Sequence, residues 1–412
     1  MAKAKKVALP LFMFDDEGNL WVSGDLLASK AIAMERIMKH SISYSDCVSL
    51  SVIDSTLYLC GLQFMGAGIK EWRMRLATLG DNAQHVKQHE ISFQPTNLGK
   101  TFKAFNGNMV SFFKEPSGFV EIKIASPDKD TKITTVRIPG QAVEMERAKI
   151  ADGLEIAFVC ESSDMVDAMI AVAATTKASA SYNGFSVLHS SKANGVSAIS
   201  SDGTSIVEGS ICSEALMDVT MDLSLETLDM IRLGLGTSNC MVEVSISQKD
   251  EANMLLIRGD DIVGILHVKT VAPDNELSRF KLAQDLMSRS MSGAYSFSVP
   301  NKEMLKAIKM VDIIAKKEST CRLGFDESKP YLSVDVDSQQ LKFQFKFNED
   351  WTPDSDPFFV KLKLEKFKAV IKSTCSDKDD VEIRLKTAMA GELNYITVTS
   401  GKTSSFLGVM IR

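Results

Sequence analysis

The stretch PNKEMLKAIKMVDIIAK, residues 300–316, has the pattern of an amphipathic helix. Proline stands at its start, where its fixed φ suits a first helical turn, and apolar residues recur three and four positions apart. The same pattern occurs in SGDLLASKAIAMERIMK, residues 23–39, and in SSDMVDAMIAVAATTK, residues 162–177. Aligned at Leu26, Met165 and Met304, the three stretches are 139 residues apart in each step. The sequence therefore predicts one helix repeated three times at a constant period.

A second helix is predicted after each of these three. Its copies are NLGKTFKAF around Phe102, SLETLDMI around Leu228 and KLEKFKAVI around Phe367. The second helix follows the first by 76 residues in the first copy and by 63 in the other two. We assign the additional 13 residues to an insertion in the polar stretch GDNAQHVKQHE, residues 80–90.

Runs with alternating polarity around polar turns fill the sequence between the helices, which is the pattern of β-hairpins. After the first helix of each copy they are CVSLSVIDSTLYLCGL, VLHSSKANGVSAISSD and TCRLGFDESKPYLSVDV. After the second they are MVSFFKEPSGFVEIKIAS, MVEVSISQKDEANMLLIRG and VEIRLKTAMAGELNYITVTS. The predicted fold class is α+β, with three tandem homologous domains that each contain two helices backed by antiparallel sheets. The predicted domains are 1–150, 151–290 and 291–412, and LFMFDDEGNLWV in the first predicts an added N-terminal hairpin.

Size and composition indicate a multidomain globular protein. A chain of 412 residues exceeds the roughly 250 to 300 at which a single core stops growing. No apolar run approaches the roughly 20 residues of a membrane span, and the first residues lack the pattern of an export signal. The seven cysteines are widely spaced, which favours neither a CxxC metal site nor a disulfide framework. We therefore expect a cytoplasmic protein with reduced thiols.

Positive charge is concentrated in the predicted helices. The six segments contain 15 Lys and Arg against 9 Asp and Glu, whereas the whole chain has a net charge of −6. Basic helices on an acidic protein suit a sequence-independent surface for phosphates, although lysine-rich helices are also common as solvated faces. The candidate cations are Lys30, Arg36, Lys100, Lys103, Lys302, Lys306, Lys309, Lys366, Lys368 and Lys372.

No constellation of residues predicts catalysis. The five histidines are scattered, and HVKQH, residues 85–89, could place two on one helix face but has no third ligand beside it. The acidic turns do not follow the ligand spacing of calcium loops. We therefore predict no catalytic residue, no metal and no cofactor.

Three stretches resemble a known family. They are FSVPNKEMLKAIKMVDIIAKKESTCRLGFDESKPYLSVDV, residues 297–336, SSDGTSI, residues 200–206, and the C-terminal GVMIR. Together with the triple repeat, they resemble the bacterial-type DNA polymerase III β subunit, the replicative sliding clamp, from about Leu26 to Arg412. The resemblance implies a homodimeric ring, placed by a clamp loader, whose helices surround double-stranded DNA without sequence preference. Such a ring tethers a DNA polymerase and has no catalytic activity of its own.

The resemblance also implies two binding surfaces. Partner peptides of the family enter an apolar slot, for which the matching residues here are Gly203, Thr204, Ser205 and Ile206 on one wall and Val409, Met410, Ile411 and Arg412 on the other. Thr204 and Ser205 replace the usual His-Arg of the family, and the C-terminal tail is shorter. For the dimer seam, Ile313 and Ile314 match one side, and Val120 and Ile122 are the expected counterparts. The alternative for these four is that they are ordinary core residues.

Three functional hypotheses remain open from the sequence. The first is a dimeric sliding clamp, and the second is a scaffold with the same fold that recruits replication or repair proteins without encircling DNA. The second is motivated by the helices of domain 151–290, which are slightly acidic. An enzyme acting on nucleic acid is disfavoured, since no acid-base or metal cluster is visible. The divergence and the N-terminal extension indicate a distant or phage-encoded relative.

Overall fold

The computed structural model describes residues 9–38, 46–65, 68–94, 97–126, 133–140, 147–148, 150, 153–179, 184–236, 238–247, 253–268, 285, 295–315, 319–326, 329–336, 339–345, 358–374, 380–386 and 395–408. The chain divides into two compact units. The first unit comprises Met1–Ser163 and Asp229–Lys269, and the second comprises Asp164–Leu228 and Thr270–Arg412.

All six predicted helices are present. They are α1 (Gly24–Met38), α2 (Leu98–Lys103), α3 (Ser162–Ser179), α4 (Leu225–Leu235), α5 (Asn301–Asp312) and α6 (Leu364–Thr374). The start of α5 follows from its sequence, because the Pro300 carbonyl accepts hydrogen bonds from the N–H groups of Glu303 at 2.9 Å and Met304 at 3.1 Å. The buried residues of α5 include Met304, Ala307, Ile308 and Val311, which is the spacing of one helix face. No helix among the described residues is long and apolar enough to cross a membrane.

The strands fill the intervals between the helices. In chain order they are β1 (Phe12–Phe14), β2 (Leu20–Ser23), β3 (Cys47–Ile53), β4 (Thr56–Met65), β5 (Gly68–Thr78), β6 (Glu90–Phe93), β7 (Met109–Lys114), β8 (Phe119–Ala125), β9 (Thr134–Pro139), β10 (Glu155–Glu161), β11 (Phe185–Ser191), β12 (Gly195–Ser201), β13 (Ser205–Cys212), β14 (Val219–Asp222), β15 (Met241–Ile246), β16 (Asn253–Gly259), β17 (Ile262–Val268), β18 (Tyr295–Val299), β19 (Thr320–Asp326), β20 (Lys329–Val336), β21 (Gln339–Gln344), β22 (Phe358–Lys363), β23 (Val381–Lys386), β24 (Tyr395–Ser400) and β25 (Thr403–Gly408). All six predicted hairpins form antiparallel pairs.

The first unit contains two sheets. One has five strands in the order β1-β2-β7-β8-β9, and the other has eight in the order β10-β15-β16-β17-β5-β4-β3-β6. The predicted N-terminal hairpin is confirmed, since β1 and β2 pair with Phe12 opposite Val22. In the β3–β4 hairpin, Asp54 and Ser55 have φ values of 47° and 60°. Such a turn with two left-handed residues matches the twist of the strands it joins.

The second unit also contains two sheets. The larger has eight strands in the order β14-β11-β12-β13-β25-β24-β23-β18, and the smaller has four in the order β21-β20-β19-β22. Each eight-stranded sheet therefore combines strands from two neighbouring predicted domains. The compact units consequently divide the predicted domain 151–290, because its two sets of strands pair with different neighbours.

Most of the additional length of the first copy lies where the sequence predicts it. The first residues of β5 and β6 are Gly68 and Glu90, 22 positions apart, whereas those of β13 and β14 are Ser205 and Val219, 14 apart. The connection contains a short 3₁₀ helix, Gly80–His85, with no buried residue. The insertion is thus an exposed addition to the repeat.

Candidate partner and nucleic-acid interfaces

The turn between β12 and β13 is organised by the side chain of Asp202. Its Oδ1 accepts hydrogen bonds from the Thr204 N–H at 3.0 Å, the Thr204 hydroxyl at 2.8 Å, the Ser205 N–H at 2.8 Å and the Ser205 hydroxyl at 3.0 Å. Gly203 has a φ of 82°, which glycine adopts without strain. Both hydroxyls that replace the usual His-Arg of the family are therefore bonded to the turn itself.

The second carboxylate oxygen of Asp202 binds helix α6. Asp202 Oδ2 accepts a hydrogen bond from Lys366 Nζ and forms an ion pair with it, while only 5% of the Asp202 side chain is exposed. Burial by itself raises the pKa of Asp202, but the hydrogen bonds from Lys366, Thr204 and Ser205 outweigh burial and lower the pKa to about 2. The turn is thus fixed to α6 by a carboxylate that stays ionised at neutral pH.

We expect Asp202→Asn to lower the free energy of unfolding by up to about 2 kcal/mol at pH 7, the amount that corresponds to a pKa lowered from 3.8 to about 2. Because the pKa is lower in the folded state, this contribution is complete above about pH 4 and disappears as pH falls toward 2. Denaturation of both proteins at several pH values should show the gap narrowing with acid. Asp218→Asn, at an exposed carboxylate of the same unit, is the matched control. A gap that is constant from pH 7 to pH 3 would contradict the role of the charge.

The structure places this turn beside the last strand of the chain. In the β13–β25 pair, Ser205 lies opposite Leu407 and Ile206 opposite Phe406. Gly203 and Thr204 are exposed, whereas Ser205 and Ile206 are buried. Val409, Met410, Ile411 and Arg412, the second predicted wall of the slot, lie outside the described residues. The first wall is therefore adjacent to the strand that leads directly into the second.

The ten candidate DNA-facing cations fall into two groups. Three are engaged by carboxylates: Lys30 Nζ lies 3.0 Å from Asp261 Oδ2, Lys368 Nζ lies 2.6 Å from Asp312 Oδ1, and Lys366 binds Asp202. The prediction that these three are available for phosphates is corrected, because their charges are already balanced. The other seven are exposed to solvent: Arg36, Lys100, Lys103, Lys302, Lys306, Lys309 and Lys372.

The predicted seam residues also differ from one another. Ile313, just beyond the end of α5, is 73% exposed, while Ile314 is partly buried and packs against the core of the second unit. Val120 and Ile122 have no exposed surface, and they belong to β8, which pairs with β7 on one side and β9 on the other. The core alternative therefore applies to Val120 and Ile122, since an inner strand has no free backbone edge to offer a second copy.

Cysteine and histidine chemistry is restricted by burial. Burial raises the pKa of Cys47 to about 12, of Cys60 to about 11 and of Cys321 to about 12, so these thiols stay neutral and weakly nucleophilic. His85 ends the 3₁₀ helix and His89 directly precedes β6, so the two do not share an α-helical face. Within the described part of the chain, no group of three or more His, Cys, Asp or Glu side chains is placed to hold a metal.

Similar folds occur among solved structures. The DNA polymerase III subunit beta of Borrelia burgdorferi, solved in complex with a natural product, has a TM-score of 0.69 at 12% identity, over 95% of this chain and 98% of that one. The beta subunit from DNA polymerase of Streptococcus pyogenes has a TM-score of 0.66 at 11% identity, over 95% and 99%. The DNA polymerase sliding clamp from Caulobacter crescentus has a TM-score of 0.65 at 13% identity, over 95% and 99%. No family model and no curated protein matches the sequence.

The chain therefore has the α+β fold of DNA polymerase III β subunits over nearly its whole length, which confirms the fold predicted from the sequence. Identities of 10 to 13% establish the fold alone. The contact that sequence reasoning missed is Asp202 with Lys366. The SSDGTSI stretch indicates a turn with an Asp in position to cap it, but nothing local identifies a partner 164 residues away.

Proposed function

We propose that this protein is a DNA sliding clamp: two copies close into a ring around duplex DNA, and the ring tethers a polymerase for processive synthesis. The observation that carries the proposal is the agreement of fold with sliding clamps over 95% of the chain. The ring confines its partner to DNA, so processivity comes from effective concentration and not from affinity for bases. The clamp itself catalyses nothing.

The seven exposed helix cations support contact with the DNA backbone. Arg36, Lys100 and Lys103 lie in the first unit, and Lys302, Lys306, Lys309 and Lys372 lie in the second. Lysine and arginine side chains without base contacts give sequence-independent, salt-sensitive attraction to phosphates. Such attraction suits a protein that moves along DNA of any sequence.

For the seam between copies, we propose Ile313 on one side and the edge strand β9 on the other. β9 ends the five-stranded sheet, so one side of its backbone is available for pairing, and Val136 and Ile138 on it are partly exposed. This moves the first-domain side of the seam from β8 to its neighbour. A head-to-tail arrangement of two copies closes a ring and covers these edges.

Ile313→Glu is expected to weaken dimerisation by about 30-fold or more, as for a central apolar contact worth about 2 kcal/mol. The substitution should leave the stability of the chain within about 0.5 kcal/mol, because 73% of Ile313 is exposed. Sedimentation at several concentrations measures the dimer. Leu216→Glu, at another exposed apolar residue of the second unit, is the matched control and should remain dimeric. An unchanged dimer in Ile313→Glu would rule out this seam.

For partner proteins, we propose an apolar slot between the turn Gly203–Ile206 and residues 409–412. Ser205 and Ile206 support it by pairing with Leu407 and Phe406, which places the turn beside the start of the C-terminal segment. Methionine adapts to several peptide sequences, so one slot serves several partners. The double substitution Met410→Ala, Ile411→Ala should abolish stimulation of a polymerase while the dimer persists. Unchanged stimulation would show that partners bind elsewhere.

Retention on DNA of different topology tests the main proposal. A clamp placed by a clamp loader on nicked circular DNA should stay bound in high salt, which screens phosphate contacts, and should slide off when the circle is linearised. Equal loss from circular and linear DNA in high salt would contradict a ring around DNA.

The second candidate function is a scaffold with the clamp fold that recruits replication or repair proteins without encircling DNA. It is favoured by the ion pairs of Lys30, Lys366 and Lys368, which reduce the number of available helix cations to seven. A stable monomer at micromolar concentration that still binds partner peptides would favour this alternative.

A further inference from the structure

The first unit contains an apolar pocket that the proposed clamp function does not use. Its cavity volume is about 90 Å³, and residues of both sheets line it, among them Leu20 and Phe112 of the five-stranded sheet and Leu50, Leu57 and Ile91 of the eight-stranded sheet. A cavity of about 150 Å³ holds a benzene molecule, so this pocket accommodates one aliphatic side chain.

The rim of the pocket consists of two segments that lie outside the threefold repeat. Gly18 and Asn19 come from the turn of the N-terminal hairpin, and Val86–His89 come from the insertion before β6. The two segments meet where Lys87 Nζ donates a hydrogen bond to Asn19 Oδ1 at 3.4 Å. Both additions therefore contribute to the same opening.

Lysine residues surround this opening. Lys87 and Lys114 are exposed, and the Lys114 N–H donates to Gln88 Oε1, a rim residue, at 3.0 Å. Lys123 Nζ lies 4.5 Å from the ring centre of Phe113, which lines the pocket. On the opposite side of the rim, the Asp15 carboxylate accepts hydrogen bonds from Trp21 Nε1 at 3.0 Å and from Asn19 Nδ2 at 2.9 Å. The charge presented by the lysine side of the opening is positive.

We propose that this pocket binds a leucine or isoleucine side chain of an acidic segment of a partner protein. Apolar lining holds the side chain, and the lysines attract the flanking carboxylates, which is the complementarity found at specific protein contacts. The chain's own basic start, MAKAKK, has the wrong charge for this site. The site is separate from the slot at Gly203–Ile206 and does not depend on the clamp proposal.

Three fluorescein-labelled peptides test the proposal on the full-length protein: Gly-Asp-Glu-Leu-Asp-Glu-Gly, the same peptide with alanine for leucine, and the same peptide with lysine at all four acidic positions. Fluorescence anisotropy should show that the alanine peptide binds roughly 10- to 100-fold more weakly, the range for burying one aliphatic side chain. The lysine peptide should not bind. Equal binding of the acidic and basic peptides would overturn the proposal.

Variants and cross-linking locate the site. Lys87→Glu with Lys114→Glu should weaken binding of the acidic peptide about 10-fold or more, whereas Lys361→Glu with Lys363→Glu, at exposed lysines of the second unit, should not. Met410→Ala with Ile411→Ala should leave this binding unchanged. A photo-reactive leucine in the peptide should cross-link to residues 50–57 or 86–91. Cross-links confined to residues 200–212 would overturn the proposal, as would binding that appears only after removal of residues 1–8.

Discussion

Trp72→Ala is expected to lower the free energy of unfolding by about 3–5 kcal/mol, the range for removing a buried large aromatic side chain. Trp72 is 1% exposed, and its ring is enclosed by glycines of two other elements. A Cβ at Gly234 of α4 would lie 2.6 Å from the ring atom Cη2, and one at Gly264 of β17 would lie 2.7 Å from it. The ring thus fills a space that only glycine leaves open on both sides.

This position joins two copies of the repeat within the first unit. Trp72 belongs to β5 of the first copy and lies opposite Gly264 of the second in the β17–β5 pair. Loss of the ring should therefore increase amide hydrogen exchange on both β5 and β17. Urea denaturation gives the free energy, and hydrogen exchange gives its location.

Two further variants serve as controls for Trp72. Trp72→Phe should cost less than Trp72→Ala, because it keeps an aromatic ring and removes an indole N–H that has no hydrogen-bond partner among the described residues. In the Trp72→Ala background, Gly264→Val should recover part of the loss, since valine grows into the vacated space. A loss below about 1 kcal/mol in Trp72→Ala would show that the two copies are held together by other contacts.

The repeat was predictable from sequence because it rests on local pattern. Apolar spacing such as Met304, Ile308 and Val311 specifies a helix and its buried face, and polar turns specify the hairpins. The pairing of β5 with β17 and of β13 with β25 joins strands far apart in sequence. Any apolar, alternating strand offers the same backbone edge, so the sequence does not choose among them.

The candidate interfaces show the same limit. The turn at Gly203 followed from its residues, and the charge of Lys366 was visible, yet only the fold brings Lys366 to Asp202 and removes it from the DNA-facing set. Val120 and Ile122 have the apolar character of a seam, but β8 is an inner strand of its sheet. Hydrophobicity alone does not distinguish an inner strand from an edge strand, so the expected counterpart was one strand away.

Glu71→Gln is the second substitution with a large expected effect, about 3–5 kcal/mol of destabilisation, because it breaks a buried ion pair and leaves charges uncompensated. Glu71 has no exposed surface. Its Oε1 accepts hydrogen bonds from Arg73 Nε at 2.8 Å and from Arg147 Nη1 at 2.7 Å. Glutamine keeps the shape of the side chain but offers one of the two guanidinium groups a donor where it needs an acceptor.

Arg147→Met should cost less than Glu71→Gln, since Arg73 still balances Glu71 after that change. Glu382→Gln is the matched control: Glu382 pairs with Arg384 at 2.9 Å, but both side chains are partly exposed, and such pairs contribute about 1 kcal/mol or less. Equal losses in Glu71→Gln and Glu382→Gln would contradict the role of burial.

The same carboxylate fixes the chain near the predicted end of the first domain. The Ala148 N–H donates to Glu71 Oε2 at 3.2 Å, and Arg147 Nη2 also donates to Ser49 Oγ at 3.2 Å. Residues 147–148 are therefore held against β3 and β5 of the first unit by polar contacts as well as packing. In Glu71→Gln, the Ala148 amide should exchange with solvent faster than amides in the centre of β5. Exchange that increases uniformly over the unit would instead indicate that Glu71 stabilises the sheet and not the position of this segment.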